Sequence, residues 1–241
     1  MYCDLREIVC EGYTLTVTSQ HQLSQAGGII DTRQLHKLGR QDIAQAGRIL
    51  AENFTEDPLY VHILPDEETR LSVLTIFFTN YLYMMYDSSD LLVTSERMEG
   101  IAVVFHPERM QTSLSRLKYS ADIVQAIVRS VGISRYIGFK AFVRGVRTLN
   151  SMSSAWLANL EDKNYMHLDM LIVQQAYRGQ GVVSHVMGEL LSECRKQQKA
   201  CTLETQSERN VSIYGHYGFQ TVEVIPLQGS ALKQYCMLCR P

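Results

Sequence analysis

A nearly unbroken apolar run, Met166-His-Leu-Asp-Met-Leu-Ile-Val173, leads into a glycine-bearing turn, Gln175-Ala-Tyr-Arg-Gly-Gln-Gly181, and then into an amphipathic segment. A run this apolar is expected where a strand is covered on both faces, which puts helices on either side of a sheet. The segment Gly181 to Lys196 places Val182, Val186, Leu190 and Cys194, among others, on one helical face, so it has a single side to bury against that sheet. Downstream, Ala200 to Thr205 reads as a strand and Asn210 to Tyr217 as a short helix. Phe219 to Ile225 and Leu232 to Leu238 read as a closing strand pair. An α/β layered sheet is the predicted result.

The upstream pattern is compatible with the same sheet. Tyr13-Thr-Leu-Thr-Val17 alternates with period two and reads as a strand within an N-terminal extension, residues 1–32, expected to pack on a domain spanning 33–241. From Arg33 a short strand leads to a helix over Asp42 to Phe54, with Ile43, Ala46, Ile49 and Leu50 at helical spacing. The next segment, Thr55 to Pro65, carries two prolines and is expected to turn before Asp66 caps a second helix. That helix runs to about Tyr86 with Leu71, Leu74, Phe78, Tyr81, Leu82 and Met85 on one stripe. Leu91 to Ser95 and Ile101 to Phe105 flank Arg97-Met-Glu-Gly100 as a hairpin, and Glu108 to Asn150 returns to helices broken near Gly132.

Composition narrows the function classes. The 241 residues are 46% hydrophobic and 20% charged, enough to bury a core. With 23 Lys and Arg against 25 Asp and Glu, the net charge of −2 supplies no field for phosphate backbones or anionic lipid, so neither nucleic acid nor membrane is an expected partner. The apolar tract Val73 to Tyr86 is interrupted by Thr79 and Asn80 and falls short of the roughly 20 residues that cross a bilayer. The first residues lack an apolar h-region, which predicts a cytoplasmic protein with its six cysteines reduced. Cys236-Met-Leu-Cys239 has zinc-knuckle spacing and could join Cys3 and Cys10. On a closing strand, however, residues three apart point to opposite faces, so no metal is expected. The C-terminal hairpin offers an edge through which a homodimer can pair, a point the sequence leaves open.

Glycines at a strand-to-helix turn let backbone approach a ligand, and the first amides of the helix point outward unsatisfied, which makes an anion site suited to a pyrophosphate. No Lys-Ser/Thr pair follows, so it is not a nucleotide-triphosphate loop. The dinucleotide fingerprint fails at Ser184.

Leu171-Ile-Val-Gln-Gln-Ala-Tyr-Arg-Gly-Gln-Gly181 resembles motif A of the GNAT superfamily of acetyl-CoA-dependent N-acetyltransferases. Arg178, Gly181 and position 183 match its spacing, with Val183 where the family has a small residue. Leu203 to Phe219 looks like motif B, with Tyr214 and Gly218-Phe219 in the places of its Tyr and Gly-Phe. The resemblance implies a GNAT-like mixed, mostly antiparallel central sheet flanked by helices, with a parallel splayed strand pair at the acetyl-CoA site. It implies acetyl-CoA as cosubstrate, with Leu171, Ile172 and Val173 bonding the pantetheine arm. Arg178, Gly179, Gln180, Gly181, Val182, Val183 and Ser184 would hold the pyrophosphate through backbone amides. Asn210 would either bond the cofactor or cap its own helix.

Acetyl transfer needs a neutral amine, whereas a free amine is protonated at pH 7. His167 and Asp169 alternate with apolar neighbours on the strand leading to the turn, so period two puts both on one face. His167 is the candidate base, with Asp169 orienting it or raising its pKa; Glu204 is an alternative base at what reads as an exposed strand end. The resemblance gives Tyr214 the role of acid toward the departing thiolate, with Tyr217 more suited to packing against the sheet. Tyr60, His62, Tyr83 and Trp156 are candidate pocket walls. Two functions follow: an N-acetyltransferase acting on an amine of a small molecule or protein, or a catalytically inactive binding or sensor module of the same fold, the reading that Val183 keeps open.

Overall fold

The computed structural model describes residues 34–151, 154–227 and 231–240. The expected N-terminal extension, including the Tyr13–Val17 strand, Cys3 and Cys10, lies outside the described residues. Among them the sheet has seven strands: β1 (His36–Lys37), β2 (Ser89–Val93), β3 (Gly100–Phe105), β4 (Tyr165–Val173), β5 (Ala200–Thr205), β6 (Gln220–Pro226) and β7 (Lys233–Cys239). Their order is β1-β2-β3-β4-β5-β7-β6. Every neighbouring pair is antiparallel except β4 and β5, which are parallel. The expected mixed sheet with one parallel pair is therefore present.

Helices cover both faces. On one side α1 (Ile43–Phe54) packs on α3 (Glu67–Met85), burying Leu50, Phe78 and Leu82 with Ile101 and Val103 of β3. On the other side α7 (Val182–Lys196) buries Val186, Met187 and Leu190 against Ala102, Val104, Met166 and Leu203. The strict alternation of β3 between the two clusters is what its unbroken Ile-Ala-Val-Val pattern requires of a doubly covered strand. Between β3 and β4 the chain forms α4 (Ser113–Ser130), α5 (Ser134–Ile137) and α6 (Phe139–Ser151), and α8 (Glu208–His216) follows β5. No helix of the described residues is long and apolar enough to cross a membrane.

Several local expectations change. The segment after α1 is not a plain turn: Pro58 opens α2 (Pro58–Ile63), and Asp57 caps it by accepting the Leu59 amide at 2.9 Å. Proline at the first helical position sacrifices no hydrogen bond, so the residue read as a breaker starts a helix instead. Arg70, buried on α3, then ties this segment down, donating to the carbonyls of Leu64 (2.7 Å), Pro65 (3.0 Å) and Thr55 (3.1 Å). Leu71, expected in the buried stripe, is 39% exposed, and Arg70 and Val73 are buried in its stead. Cys236 packs with Trp156 and Tyr165 while Cys239 packs toward the α7 cluster, so the two face opposite sides of β7, as the strand reading predicts.

The feature that shapes the site is a divergence. β4 and β5 pair from Tyr165 opposite Ala200 to Leu168 opposite Leu203 and no further; β4 then continues with β3, and β5 with β7. At the same place β4 slips register against β3, with Leu168 opposite Val104 but Met170 opposite Val103. Asp169 is thus the extra residue of a β-bulge. The bulge reverses which residues face which layer. Met166 and Leu168 pack with α7 before it and Leu171 after it, while Met170 and Ile172 join the α1 and α3 side.

Candidate active site

The turn after β4 has the open backbone that an anion requires. Gly179 and Gly181 adopt φ of +77° and +80°, a left-handed conformation that disfavours any side chain. A Cβ built on either would meet nothing within 4 Å, so the space beside both is free. The amides of Arg178 and Gln180 are spent inside the turn on the carbonyls of Gln175 and Tyr177, which removes two of the seven expected donors. Those of Gly179, Gly181, Val182, Val183 and Ser184 donate to no backbone carbonyl among the described residues. They cluster at the N-terminus of α7, where the helix dipole favours negative charge.

The side chains around this turn fix its shape. The Arg178 guanidinium donates to the Val173 carbonyl and to Asn53 Oδ1, both at 3.3 Å, so it braces the turn against α1. Val182 is buried, and its Cγ1 would lie 2.8 Å from a Cβ on Gly100, which keeps that strand position a glycine. Val183 leans on the α7 core cluster rather than over the turn. Ser184 Oγ lies 2.9 Å from Tyr217 Oη, so Tyr217, expected only to pack, also ties α8 to the start of α7. Above the divergence, the β5-facing edge of Leu171, Ile172 and Val173 has no strand partner, leaving peptide groups free to bond an amide-rich arm.

At the fork itself three titratable groups meet. His167 is 3% exposed, and its Nε2 ends 3.9 Å from Asp169 Oδ1 and 4.0 Å from Glu204 Oε2. The sequence expectation that His167 and Asp169 come together holds, but the orienting group is different. His167 Nδ1 lies 2.9 Å from Thr202 Oγ1, and that hydroxyl lies 3.3 Å from the Met166 carbonyl, an obligatory acceptor. The hydroxyl therefore donates to the carbonyl and accepts from Nδ1–H, which leaves Nε2 as a bare acceptor with no partner of its own. Burial lowers the His167 pKa to about 4, the reverse of the expected increase. Asp169 keeps 29% of its side-chain surface open. Desolvation, reinforced by the Glu204 charge, pushes its pKa up to about 7.

Glu204 is not the exposed strand end that the sequence suggests. Its side chain is 14% exposed, and it accepts hydrogen bonds from the Trp156 indole N–H and from Ser154 Oγ (3.2 Å). Burial raises its pKa despite these bonds, which act in the opposite direction. Trp156, a candidate pocket wall, is thus a buried support for Glu204.

Tyr214 lies on the other face of the sheet. It is half-buried against the α7 cluster, its ring 5.9 Å from that of Phe219, and burial with the nearby Cys201 pushes its pKa up to about 12. His167, alternating with Met166 and Leu168, opens on the α1 and α3 face, so the structure sets Tyr214 and His167 on opposite sides of the fork. Asn210 does not cap α8: Ser207 does, accepting the Asn210 amide at 3.4 Å, while Asn210 Nδ2 reaches Thr205 Oγ1 at 3.4 Å.

The family model of the acetyltransferase (GNAT) domain matches residues 154–228, which include the fork, the turn, α7 and α8. Over residues 154–228 the chain carries a GNAT-superfamily acetyltransferase domain. The GNAT fold extends well beyond that segment. The histone acetyltransferase HPA2 and related acetyltransferase of Corynebacterium glutamicum superposes with a TM-score of 0.55 at 16% identity, over 86% of this chain and 95% of that one. An N-acetyltransferase from Staphylococcus aureus gives 0.50 at 11% identity over 85% and 99%. At such identities the likeness is one of fold. No curated protein sequence matches the chain.

The residues that sequence reading missed in this GNAT domain are those that act through others. Thr202 sets the His167 tautomer, and Ser154 and Trp156 hold Glu204. Only the alternation of β5 carried a signal for Thr202, since a polar residue between Cys201 and Leu203 faces the same side as its strand neighbour His167.

Proposed function

We propose that the chain is an acetyl-CoA-dependent N-acetyltransferase that passes the acetyl group directly to an amine, with Asp169 as the proton acceptor. The observation that carries this reading is the meeting of Asp169, Glu204 and the bare His167 Nε2 at the point where β4 and β5 part.

The residues present fit the cosubstrate. Five outward amides beside two left-handed glycines suit a diphosphate, and the unpaired β4 edge suits pantetheine amides. Acetyl-CoA, when bound there, supplies an acyl carbon activated by its thioester. An incoming ammonium is drawn to the two carboxylates, and Asp169, titrating near 7, is poised to take a proton from it at neutral pH. His167 stays neutral and offers Nε2 to a remaining N–H, which aims the nitrogen lone pair into the fork. Tyr214, on the opposite face and protonated at any physiological pH, donates a hydrogen bond toward the departing sulfur.

The inactive-module reading drew on Val183 crowding the turn. Its packing against the α7 core, with the space beside Gly179 and Gly181 open, favours the enzyme. Calorimetry with acetyl-CoA tests the reading: micromolar binding with thiol release on adding an amine is expected, and no binding at millimolar concentration refutes it.

A further inference from the structure

The helices on the α1 and α3 side line a second feature that the acyl-transfer chemistry does not use. Between α2, α3, α4 and α6 lies a cavity of about 180 Å³, walled by Val73, Phe77, Ile127, Ile133, Phe142 and Val146, among others. Every lining residue falls between Tyr60 and Val146, outside the segment that matches the family model. None is charged. The polar atoms on its wall are few: Asn80 and Ser130 bond one another at 3.0 Å, and the Tyr81 hydroxyl is buried with no partner. A dry apolar cavity of roughly 150 Å³ is known to accept one benzene ring, so this one has room for a group of that size and a hydroxyl that lacks a hydrogen-bonding partner.

Tyr60 and Met170 connect the cavity side of the sheet with the fork. The Tyr60 ring sits edge-on to Phe54 and Phe78 and forms part of the wall. The Asp169 charge contributes to raising its phenol pKa, so the two lie within electrostatic range. Met170, the neighbour of Asp169 on the bulge, packs in the same cluster as Phe77, Tyr81 and Phe142. The bulge turns this part of β4 toward the cavity helices.

Resting on the acyl transfer proposed above, we propose that the acceptor is a primary amine with a compact, uncharged apolar substituent. That substituent, no larger than about one six-membered ring, lodges in this cavity while the nitrogen lies at Asp169. A second ammonium or a polyhydroxylated tail would leave water for walls that return almost no hydrogen bonds, which disfavours polyamines and sugar amines. Selectivity therefore comes from α2, α3, α4 and α6 rather than from the fork.

The test compares cyclohexylmethylamine with ethanolamine, using the full chain and acetyl-CoA, by thiol release and by calorimetric titration of each amine. A preference in kcat/KM of at least about thirtyfold for the cyclic amine is expected. Gly145 supplies the decisive variant: a Cβ there would meet only Ile63 Cγ2, at 3.7 Å, so Gly145→Ala is tolerated and Gly145→Leu fills the cavity. Gly145→Leu is expected to abolish calorimetric binding of cyclohexylmethylamine and to cut its kcat/KM at least about tenfold, leaving ethanolamine turnover and acetyl-CoA affinity unchanged. Ala126→Leu, which fills from α4, serves the same purpose if Gly145→Leu fails to fold. Equal use of both amines, or a preference that survives filling, overturns the proposal while acetyl-CoA binding still stands. Failure of acetyl-CoA to bind refutes the acyl-transfer reading itself, and calorimetry with cyclohexylmethylamine then judges the cavity alone.

Discussion

Asp169 and Glu204 each stand one residue beyond the last paired position of β4 and β5, so two carboxylates flank the fork at the point where the backbone stops bridging it. Each raises the cost of charging the other, and the Glu204 charge adds to burial in holding the Asp169 carboxyl near 7. If Asp169 accepts the proton, kcat/KM rises with pH through a limb centred near 7 and falls away below it. Glu204→Gln keeps an acceptor for the Trp156 indole while removing the charge, and is expected to move that limb to lower pH. A pH–rate profile of both proteins checks this, and an unmoved limb would show that the two carboxylates are not coupled.

The same groups make opposite demands on folding. Asp169 binds its proton more tightly folded than unfolded, so its contribution is present below the unfolded value of 3.8 and is lost as pH rises through about 7. His167, lowered to about 4, contributes stability that is present above 6.5 and lost as pH falls through about 4. Between these limits the two slopes offset one another. His167→Gln is therefore expected to leave stability falling as pH rises from 4.5 to 6.5, and Asp169→Asn to leave it rising. Each slope is on the order of 1 kcal/mol per pH unit, less for Asp169 because water screens its open side. Urea unfolding at several pH values reads both signs.

Most of this fold was legible because its strands and helices carry clean periodicities. The Met166 to Val173 run and the Val182 to Cys194 face had no other way to be buried. The residues of the candidate site could be picked out in the sequence, and their spatial relationships could not. Period two correctly joined His167 to Asp169, yet a bulge is invisible to alternation, and the bulge is what brings Met170 round with Asp169. The His167 shift runs opposite to the expected one for a related reason. A histidine beside an acid normally gains a proton, but the depth of the fork penalises charge on both, and depth is a property of tertiary packing. Thr202, Ser154 and Trp156 are ordinary strand and turn residues by type, so their service to His167 and Glu204 had no sequence signature strong enough to stand alone.

Arg70 is the mechanical link between the core and the wall of the cavity. Its buried guanidinium satisfies three carbonyls on either side of α2. Arg70→Met preserves the length of the stem and strands those carbonyls, at a cost of about 3 kcal/mol in unfolding free energy. Because Tyr60 rides on α2, the variant is also expected to raise KM for the amine more than it lowers kcat, a split that steady-state kinetics resolves.

The glycine turn and Tyr214 both lie toward the α7 layer, and the proposed reaction uses them at different moments, which kinetics can separate. Gly181→Ala forces a side chain into φ of +80°, which costs roughly 1–2 kcal/mol. It also sets a methyl group in the open space beside the turn. Its expected effect is a loss of acetyl-CoA affinity of about tenfold or more, with kcat at saturation much less changed. Tyr214→Phe retains the ring that packs on Phe219 and removes only the hydroxyl, so affinity should hold while kcat falls. Its pKa, pushed up to about 12, keeps the phenol from transferring its proton outright at neutral pH, which limits the loss to that of one charge-assisted hydrogen bond, about 10- to 100-fold. A drop in acetyl-CoA affinity for Tyr214→Phe in calorimetry, with kcat preserved, would place the hydroxyl on the cofactor arm and not at the sulfur.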